Sequence, residues 1–178
     1  MPDEPDQIQW QGKFITARTR GKWEYVTRAR GIRAAVILAI DAEDHVLLVE
    51  QYRVPLGKAC LELPAGLIGD DDSSPDEDPA AAAARELEEE TGYRADRIEV
   101  VGEFYSSPGM VSESFTLVRA HGLTQVGPGG GTENEHITVH RVARAHLSQF
   151  VKMARSRGLG IDVRLLMLLA PGILGERS

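Results

Sequence analysis

The feature that most constrains the fold is a continuous apolar run at residues 34–40, AAVILAI. A run without polar alternation is typical of a strand that is buried on both faces, whereas a half-exposed strand alternates. A polar turn follows at residues 41–44, and residues 45–52 have the pattern of a second strand. These segments together predict a central sheet.

The rest of the chain predicts an α/β fold around this sheet. Further strand-like segments lie at residues 22–30, 98–105, 114–119 and 136–142, and helical periodicity extends over residues 143–155 and 163–170. We expect the last helix to end before Pro171-Gly172, because proline interrupts a helix. With 178 residues and no internal repeat or linker, the chain fits a single globular domain.

One short helix carries an unusual concentration of acid. Asp78 and Pro79 predict the N-cap and the first helical position, and Gly92 predicts the left-handed C-terminal residue. Between them lies the segment RELEEETGY at residues 85–93. We expect the small apolar side to pack on a sheet and the acid cluster to point away from it. That side consists of Ala80, Ala83, Ala84 and Leu87.

The acidic residues Glu86, Glu89 and Glu90 crowd one face of this helix, since Glu86 and Glu90 are four residues apart. Two such carboxylates would repel by about 3 kcal/mol at ~5.5 Å in a cleft of effective dielectric ~20. A hard cation such as Mg²⁺ would offset this repulsion, because it binds carboxylates together with waters and phosphates. The alternative is a solvated acidic face without a ligand.

The segment resembles the signature of Nudix hydrolases, G-x5-E-x7-R-E-U-x-E-E-x-G-U, where U is a bulky apolar residue. Glu77, seven intervening residues and RELEEETGY match every fixed position of its later part. The first glycine has its counterpart in Gly66, which requires an insertion of about five residues in the loop at 69–76; such an insertion costs little closure entropy.

Segments outside the signature resemble the ADP-ribose pyrophosphatase branch of this family. They are VEQYR at 49–53, ELPAG at 62–66, SPG at 107–109 and ENEHI at 133–137. The resemblance covers roughly residues 20–145. It implies an α/β/α sandwich with a central mixed sheet and a catalytic strand-loop-helix motif. It also implies N-terminal strands at 1–30, available for dimer formation, and a Nudix domain at 31–178.

The resemblance implies a metal-assisted attack of water on a diphosphate. The expected metal ligands are Glu86 and Glu90, with Glu89 as a ligand or water holder, the carbonyl oxygen of Ala65, and Glu135. Glu133 is the expected general base, and Arg85 an ion-pairing residue that orients the catalytic cluster. The metal is Mg²⁺, with Mn²⁺ as an alternative. Glu133 and Glu135 have a solvated loop as the alternative interpretation.

Four further residues are candidates for substrate binding. Arg53 is suited to grip a phosphate because a guanidinium presents a fork of donors, although a surface ion pair is an alternative. Glu113 resembles the position that contacts the terminal ribose. Phe14 and Trp23, with Tyr25, could stack on adenine across a dimer interface, but aromatic residues in strands are more often core residues.

Residues 127–131, GPGGG, lack the Lys-Ser/Thr pair and the helix of a phosphate-binding loop. We therefore interpret them as a mobile hinge before the loop acids, suited to a loop that closes over substrate. Cys60 has no second cysteine to pair with and is expected to be a small core residue rather than a catalytic thiol.

The charge and the N-terminal composition limit the partners of the protein. A net charge of −7 argues against a broad nucleic-acid surface, which would need clustered Lys and Arg. The acidic start and the lack of a long apolar run predict a cytoplasmic protein without a membrane segment. The family resemblance implies a homodimer that binds a nucleoside diphosphate-type small molecule.

Three functional hypotheses follow. The leading one is hydrolysis of ADP-ribose to AMP and ribose 5-phosphate. The second is a pyrophosphatase of nucleoside diphosphate sugars such as UDP-glucose or GDP-mannose, because sequences of both kinds share these motifs. The third is a non-catalytic nucleotide sensor, although degenerate relatives of that kind usually lose a carboxylate of the signature and all three remain here.

Overall fold

The computed structural model describes residues 4–28, 33–69, 77–132 and 135–174. In these ranges the strands are β1 (Asp6–Gln11), β2 (Ile15–Arg20), β3 (Trp23–Arg28), β4 (Arg33–Ala39), β5 (His45–Arg53), β6 (Lys58–Glu62), β7 (Ala65–Ile68), β8 (Tyr93–Tyr105), β9 (Ser114–Gln125), β10 (Thr138–Ala143) and β11 (Gly160–Ile161). The helices are α1 (Pro79–Thr91), α2 (Leu147–Ser156) and α3 (Leu166–Leu174). Short 3₁₀ turns lie at Val54–Leu56, Arg144–His146 and Val163–Leu165.

The strands form three sheets. An antiparallel sheet has the order β1-β2-β3, and two four-stranded sheets have the orders β10-β5-β6-β11 and β7-β4-β9-β8. Both larger sheets are mixed, because β6 pairs with β11 in parallel and β4 pairs with β9 in parallel, whereas their other pairs are antiparallel. The expected mixture of parallel and antiparallel strand pairs is thus confirmed, although it occurs in two sheets rather than one.

The run at residues 34–40 is buried on both faces, as expected. Because side chains alternate along a strand, Val36 of β4 faces one core cluster, and Ala35 and Ile37 face the other. The first cluster is completed by α2 and α3 and the second by α1. The strands therefore lie between helices on opposite sides, which confirms the α/β/α class.

Some element boundaries differ from the sequence prediction. Strands β8 and β9 are longer than expected and pair along almost their whole length. Helix α3 extends past Pro171 to Leu174. A proline removes only its own N–H from the helical ladder and crowds one preceding carbonyl, so an exposed last turn can accommodate it.

The N-terminal sheet contacts the rest of the protomer through its third strand. Val26 exchanges backbone hydrogen bonds with the segment after β8: its N–H donates to Met110 O (3.0 Å), and its carbonyl accepts from Ser112 N (3.0 Å). Large apolar side chains of this sheet are exposed, among them Trp10, Phe14 and Trp23. No helix in the described ranges combines the length and apolar character that a bilayer crossing requires.

Candidate active site

A cleft of about 590 Å³ collects most of the predicted site residues. Its walls include Arg53 at the end of β5, Ala65 and Gly66 at the start of β7, and Glu86 and Glu90 of α1. Glu113 and Glu135 line it as well. Residues far apart in the sequence thus share one concave surface, which is lined by both carboxylates and arginines.

Helix α1 begins and ends where its sequence predicts. The Asp78 carboxylate accepts a hydrogen bond from Ala81 N (3.3 Å), Pro79 is the first helical residue, and Gly92 adopts a left-handed φ of 74°. The buried side differs from the prediction. Ala84 is exposed, whereas Ala82, Ala83, Leu87, Glu90 and Thr91 are buried. The acid cluster therefore does not point away from the sheet as a whole.

The orientation of α1 on the sheet buries the carboxylate of Glu90, and only 4% of this residue is exposed. The Ala65 N–H donates to Glu90 Oε2 (3.0 Å). Burial raises the pKa of Glu90 to about 8, the Ala65 hydrogen bond opposes this rise, and the negative charges of Glu86 and Glu135 add to it. A carboxylate in this position favours either a proton or a cation.

Glu86 lies against the backbone of the preceding strand. A Cβ atom at Gly66 would lie 1.9 Å from Glu86 Cδ, so the glycine makes room for this carboxyl group. Burial raises the pKa of Glu86, and the neighbouring Arg85 opposes this effect. The close approach gives a physical reason for the glycine that the family signature places before the helix.

Arg85 makes ion pairs with three carboxylates. Its guanidinium lies 2.8 Å from Glu86 Oε1, 3.5 Å from Glu89 Oε2 and 3.6 Å from Glu77 Oε2. Glu89 is much more exposed than Glu86 and Glu90. Arg85 and Glu89 thus adjoin the cleft without forming its wall.

The glycine-rich segment after β9 packs on the end of α1. Gly130 N donates to Glu90 O (2.8 Å), and Gly131 N donates to Glu89 O (3.0 Å). Two backbone hydrogen bonds thus join the glycines of the predicted hinge to the end of α1. Downstream, Glu135 Oε2 accepts hydrogen bonds from Thr132 N (3.0 Å) and Thr132 Oγ1 (2.9 Å). The predicted general base, Glu133, lies outside the described residues.

Three charged residues that the sequence analysis did not assign to the site, Glu62, Asp162 and Arg164, also line the cleft. Arg53 binds the buried Glu62 through two hydrogen bonds of 2.6 and 2.7 Å. Arg164 binds Asp162 in the same bidentate way, at 2.6 and 2.7 Å, and its Nη2 is 3.6 Å from Glu62. Asp162 also accepts from Arg164 N (2.8 Å) at the start of a 3₁₀ turn. The only local sequence signal for this pair is an aspartate directly before a helical turn.

Other candidates occupy the margins of the site. Glu113 pairs with Arg28 (2.6 Å) at the mouth of the cleft, so that the N-terminal sheet contributes one of its walls. Trp23 lies in a separate groove of about 570 Å³, and Phe14 is exposed on the N-terminal sheet, where Lys13 covers its ring. Neither aromatic residue lines the cleft of its own protomer.

Cys60 also lines the cleft but is not suited to nucleophilic attack. The residue is buried, and burial together with the charge of Glu62 raises the pKa of its thiol to about 11. A neutral thiol is a weak nucleophile. The expectation of a small core residue is consistent with this environment.

The donor set of the cleft fits a hard divalent cation. Glu86 and Glu90 are oxygen donors whose pKa values are raised mainly by burial, which disfavours their charged form without a counter-charge. In the part of the chain that the structure describes, no three acidic, histidine or cysteine side chains already enclose a common position. Such a preformed group is not required for Mg²⁺, which binds through few protein ligands together with water and phosphate.

Known proteins resemble this chain in sequence and in fold. The NUDIX domain family matches residues 30–157. A methanol dehydrogenase activator of Bacillus methanolicus is 37% identical over 123 residues, which are 68% of this chain and 64% of that protein. An ADP-ribose pyrophosphatase of Mycobacterium tuberculosis is 38% identical over 122 residues, covering 68% of this chain and 53% of that one. The matches thus span less than two thirds of these relatives.

Two further comparisons cover more of both chains. A GDP-mannose pyrophosphatase of Cronobacter sakazakii is 34% identical over 149 residues, covering 79% of this chain and 72% of that one. The crystal structure of an ADP compounds hydrolase superimposes with a TM-score of 0.69 at 23% identity, over 97% of this chain and 94% of that one. The fold is therefore shared along the chain, and the family match includes the acidic helix and most residues that line the cleft. The protein belongs to the Nudix hydrolase family.

Proposed function

We propose that the protein hydrolyses ADP-ribose to AMP and ribose 5-phosphate in a reaction that depends on Mg²⁺. The observation that carries this proposal is the buried Glu90, which faces a polar cleft together with Glu86 and Glu135. Relatives named ADP-ribose pyrophosphatase occur in Bacillus subtilis, at 40% identity over 91 residues, and in Mycobacterium tuberculosis. The site chemistry and these relatives point to the same substrate class.

The proposed metal ligands come from two neighbouring elements and one loop. Glu86 and Glu90 of α1 supply carboxylate oxygens, with Glu89 as a ligand or water holder; Ala65 supplies its carbonyl, and Glu135 a further carboxylate. Bound Mg²⁺ would neutralise phosphate charge and lower the pKa of a coordinated water. Mn²⁺ fits the same oxygen donors. Arg85 orients the carboxylates through its ion pairs with Glu86 and Glu89.

The proposed base is Glu133, which lies two residues before Glu135 in the sequence. Its carboxylate accepts a proton from the attacking water while the water oxygen bonds to one phosphorus of the diphosphate. The bridging phosphoryl oxygen leaves with the other phosphate. A base for this step must come within hydrogen-bond reach of the water.

Several residues in and near the cleft are candidates for binding the substrate. Arg53 retains donors beyond the two that it gives to Glu62, and a guanidinium can therefore add a phosphate contact. Glu113, which lines the cleft, is the proposed acceptor of hydrogen bonds from the ribose hydroxyls. Trp23 and Phe14 are exposed and do not line the cleft of their own protomer, so we propose that they contact adenine in the cleft of a second protomer.

A pyrophosphatase of nucleoside diphosphate sugars is the second candidate. The match to the GDP-mannose pyrophosphatase covers more of this chain than the match to the ADP-ribose enzyme of Mycobacterium tuberculosis. Both substrate classes contain the same diphosphate and differ in the base and the sugar. The carboxylate chemistry is common to both, so the rest of the pocket decides between them.

The test is a substrate panel with purified protein and Mg²⁺. ADP-ribose, UDP-glucose, GDP-mannose and diadenosine polyphosphates are incubated separately, and products are separated by anion-exchange chromatography. We expect the highest kcat/KM for ADP-ribose, with AMP as a product. Preferred turnover of UDP-glucose or GDP-mannose would support the second candidate. No turnover of ADP-ribose would refute the leading proposal.

Two properties of the whole protein accompany this proposal. We propose a homodimer in which the N-terminal sheet contacts the partner, because this sheet exposes apolar side chains such as Trp10 and Trp23. Light scattering of the full chain should give twice the protomer mass. We also propose a cytoplasmic location, which cell fractionation with an antibody against the protein would test.

A further inference from the structure

The glycine-rich segment after β9 supplies donors to carbonyl groups at the end of α1. The last carbonyl groups of a helix have no partner inside the helix. Here Gly130 N donates to Glu90 O (2.8 Å) and Gly131 N to Glu89 O (3.0 Å), while Val126 N and Gly127 N both donate to Gly92 O (2.8 and 3.0 Å). The segment is thus a tertiary cap on the helix that carries the acid cluster.

Glycine is required at the centre of this cap for two reasons. Residues 129, 130 and 131 have φ values of 66°, 114° and 78°, which side-chain-bearing residues rarely adopt. A Cβ atom at Gly129 would also lie 2.3 Å from Thr91 C and 2.7 Å from Glu90 O, both backbone atoms of the helix end. Even alanine at residue 129 would force the segment away from the helix.

The same segment leads directly to a loop carboxylate. Ile137 N donates to Gly130 O (3.2 Å) and to Glu135 O (2.8 Å), so the chain folds back on the glycines. Glu135 Oε2 is held by the N–H and the hydroxyl of Thr132, the residue after Gly131. The helix cap is therefore connected to the Glu135 side chain through Thr132, which directly follows Gly131.

These contacts connect the two halves of the carboxylate cluster. The carbonyl groups bound by the glycines belong to Glu89 and Glu90, whose side chains are on the acidic face of α1. Glu135 lines the same cleft as Glu86 and Glu90. A shift of the cap would therefore change the spacing between the loop carboxylate and the helix carboxylates.

We propose that Gly129 is a positioning residue, which fixes the distance of Glu135 from Glu86 and Glu90 by holding residues 129–131 on the end of α1. The inference rests on the proposed function for the role of Glu135 in binding a divalent cation. It assigns to the glycines a fixed contact in the metal-free protein. Loss of that contact lowers the affinity for the cation, because supporting residues orient the ligands.

The test compares Gly129→Ala with Gly127→Ala in the full chain. Gly127 has no atom within 4 Å of an added Cβ, so its substitution is a matched control in the same segment. Binding of Mn²⁺ is measured by electron paramagnetic resonance in the absence of substrate, and kcat and KM are measured with ADP-ribose. Circular dichroism and thermal melting select a temperature at which each variant is folded.

We expect Gly129→Ala to bind Mn²⁺ about 10-fold or more weakly and to lose a similar factor in kcat, as is typical when support for a metal ligand is removed. KM should change less, because the substitution does not touch the arginines that line the cleft. Gly127→Ala should match wild type. Hydrogen exchange of a peptide covering residues 126–132 should accelerate in Gly129→Ala alone. Wild-type Mn²⁺ affinity in Gly129→Ala would overturn the inference.

A second variant covers the case in which Gly129→Ala does not fold. Thr132→Ala removes the hydroxyl that holds Glu135, at an exposed position, and should also weaken Mn²⁺ binding. Unchanged Mn²⁺ affinity in Thr132→Ala would then overturn the inference. Failure of the proposed function is distinguishable, since it would appear as absent Mn²⁺ binding and absent turnover in the wild-type protein.

Discussion

Replacing the buried Glu90 by glutamine should make the metal-free protein more stable at alkaline pH. The glutamine oxygen can accept the Ala65 N–H as Glu90 does now, and the amide carries no charge into the buried site. In the wild-type protein, by contrast, ionisation of Glu90 places a negative charge in a site that already contains Glu86 and Glu135.

The size of the effect follows from the pKa. The pKa of Glu90 is raised from an ordinary value of 4.5 to about 8 in the folded protein. Between these values the folded state holds a proton that the unfolded chain has released, so the free energy of unfolding falls as the pH rises. At about 1.4 kcal/mol for each pKa unit, full ionisation costs the metal-free protein up to about 5 kcal/mol. The loss begins near pH 4.5 and is complete above about pH 8.

Urea unfolding in EDTA, repeated from pH 5 to pH 9, measures this effect. The free energy of unfolding of Glu90→Gln should fall less steeply with pH than that of wild type. Glu88→Gln is the matched control, because Glu88 lies on the same helix but is exposed and paired with Arg94. It should keep the wild-type slope. Glu86 is present in all three proteins, so the difference between the profiles reports the replacement of Glu90, including its coupling to Glu86.

Added Mg²⁺ provides the second half of this test. At pH 8 the cation should stabilise wild type and Glu88→Gln, because binding to the native state alone raises the free energy of unfolding. It should stabilise Glu90→Gln much less. Parallel pH profiles for wild type and Glu90→Gln in EDTA would refute the reasoning, since they would mean that Glu90 does not hold a proton in the folded protein at neutral pH.

Three other substitutions test further parts of the structure. Arg53→Ala removes the partner of the buried Glu62; we expect a loss of about 2 kcal/mol in urea unfolding, less than the ~3–5 kcal/mol of a fully buried pair because the guanidinium is partly exposed. KM for ADP-ribose should rise as well, and an unchanged KM would exclude Arg53 from substrate binding. Gly66→Ala should displace the Glu86 carboxyl and lower kcat about 10-fold or more with little change in Tm; wild-type kcat would contradict this contact. Leu87→Ala should cost about 3 kcal/mol in urea unfolding, as for other buried leucines. A loss below about 1 kcal/mol would contradict the packing of α1.

Local signals made the acidic helix predictable from the sequence. The caps at Asp78 and Gly92 act within a few residues of the helix ends, and the buried run of β4 needs no partner to be recognised. The rotation of α1 on the sheet was not predictable, because it depends on which side chains the sheet offers. Ala84 was therefore expected to be buried and Glu90 to face outwards, and both expectations were wrong.

Residues that tertiary pairing brings to the site escaped prediction. Asp162 and Arg164 reach the cleft because the short strand β11 pairs in parallel with β6, placing Gly160 beside Cys60. Nothing in the local sequence indicates this pairing. The contacts of the glycine-rich segment were not predictable either, because the same composition suits a hinge and a backbone cap. Its N–H partners lie on α1, which is distant in the sequence.

The most direct test of the account is the location of a bound cation. Crystals of the protein grown with a non-hydrolysable ADP-ribose analogue and Mn²⁺ allow the ion to be placed by anomalous scattering. The account predicts a peak between the carboxylates of Glu86 and Glu90 and the diphosphate, with Arg53 on the far side of the substrate. A diphosphate bound in the cleft with no ion between it and these carboxylates would contradict the central claim.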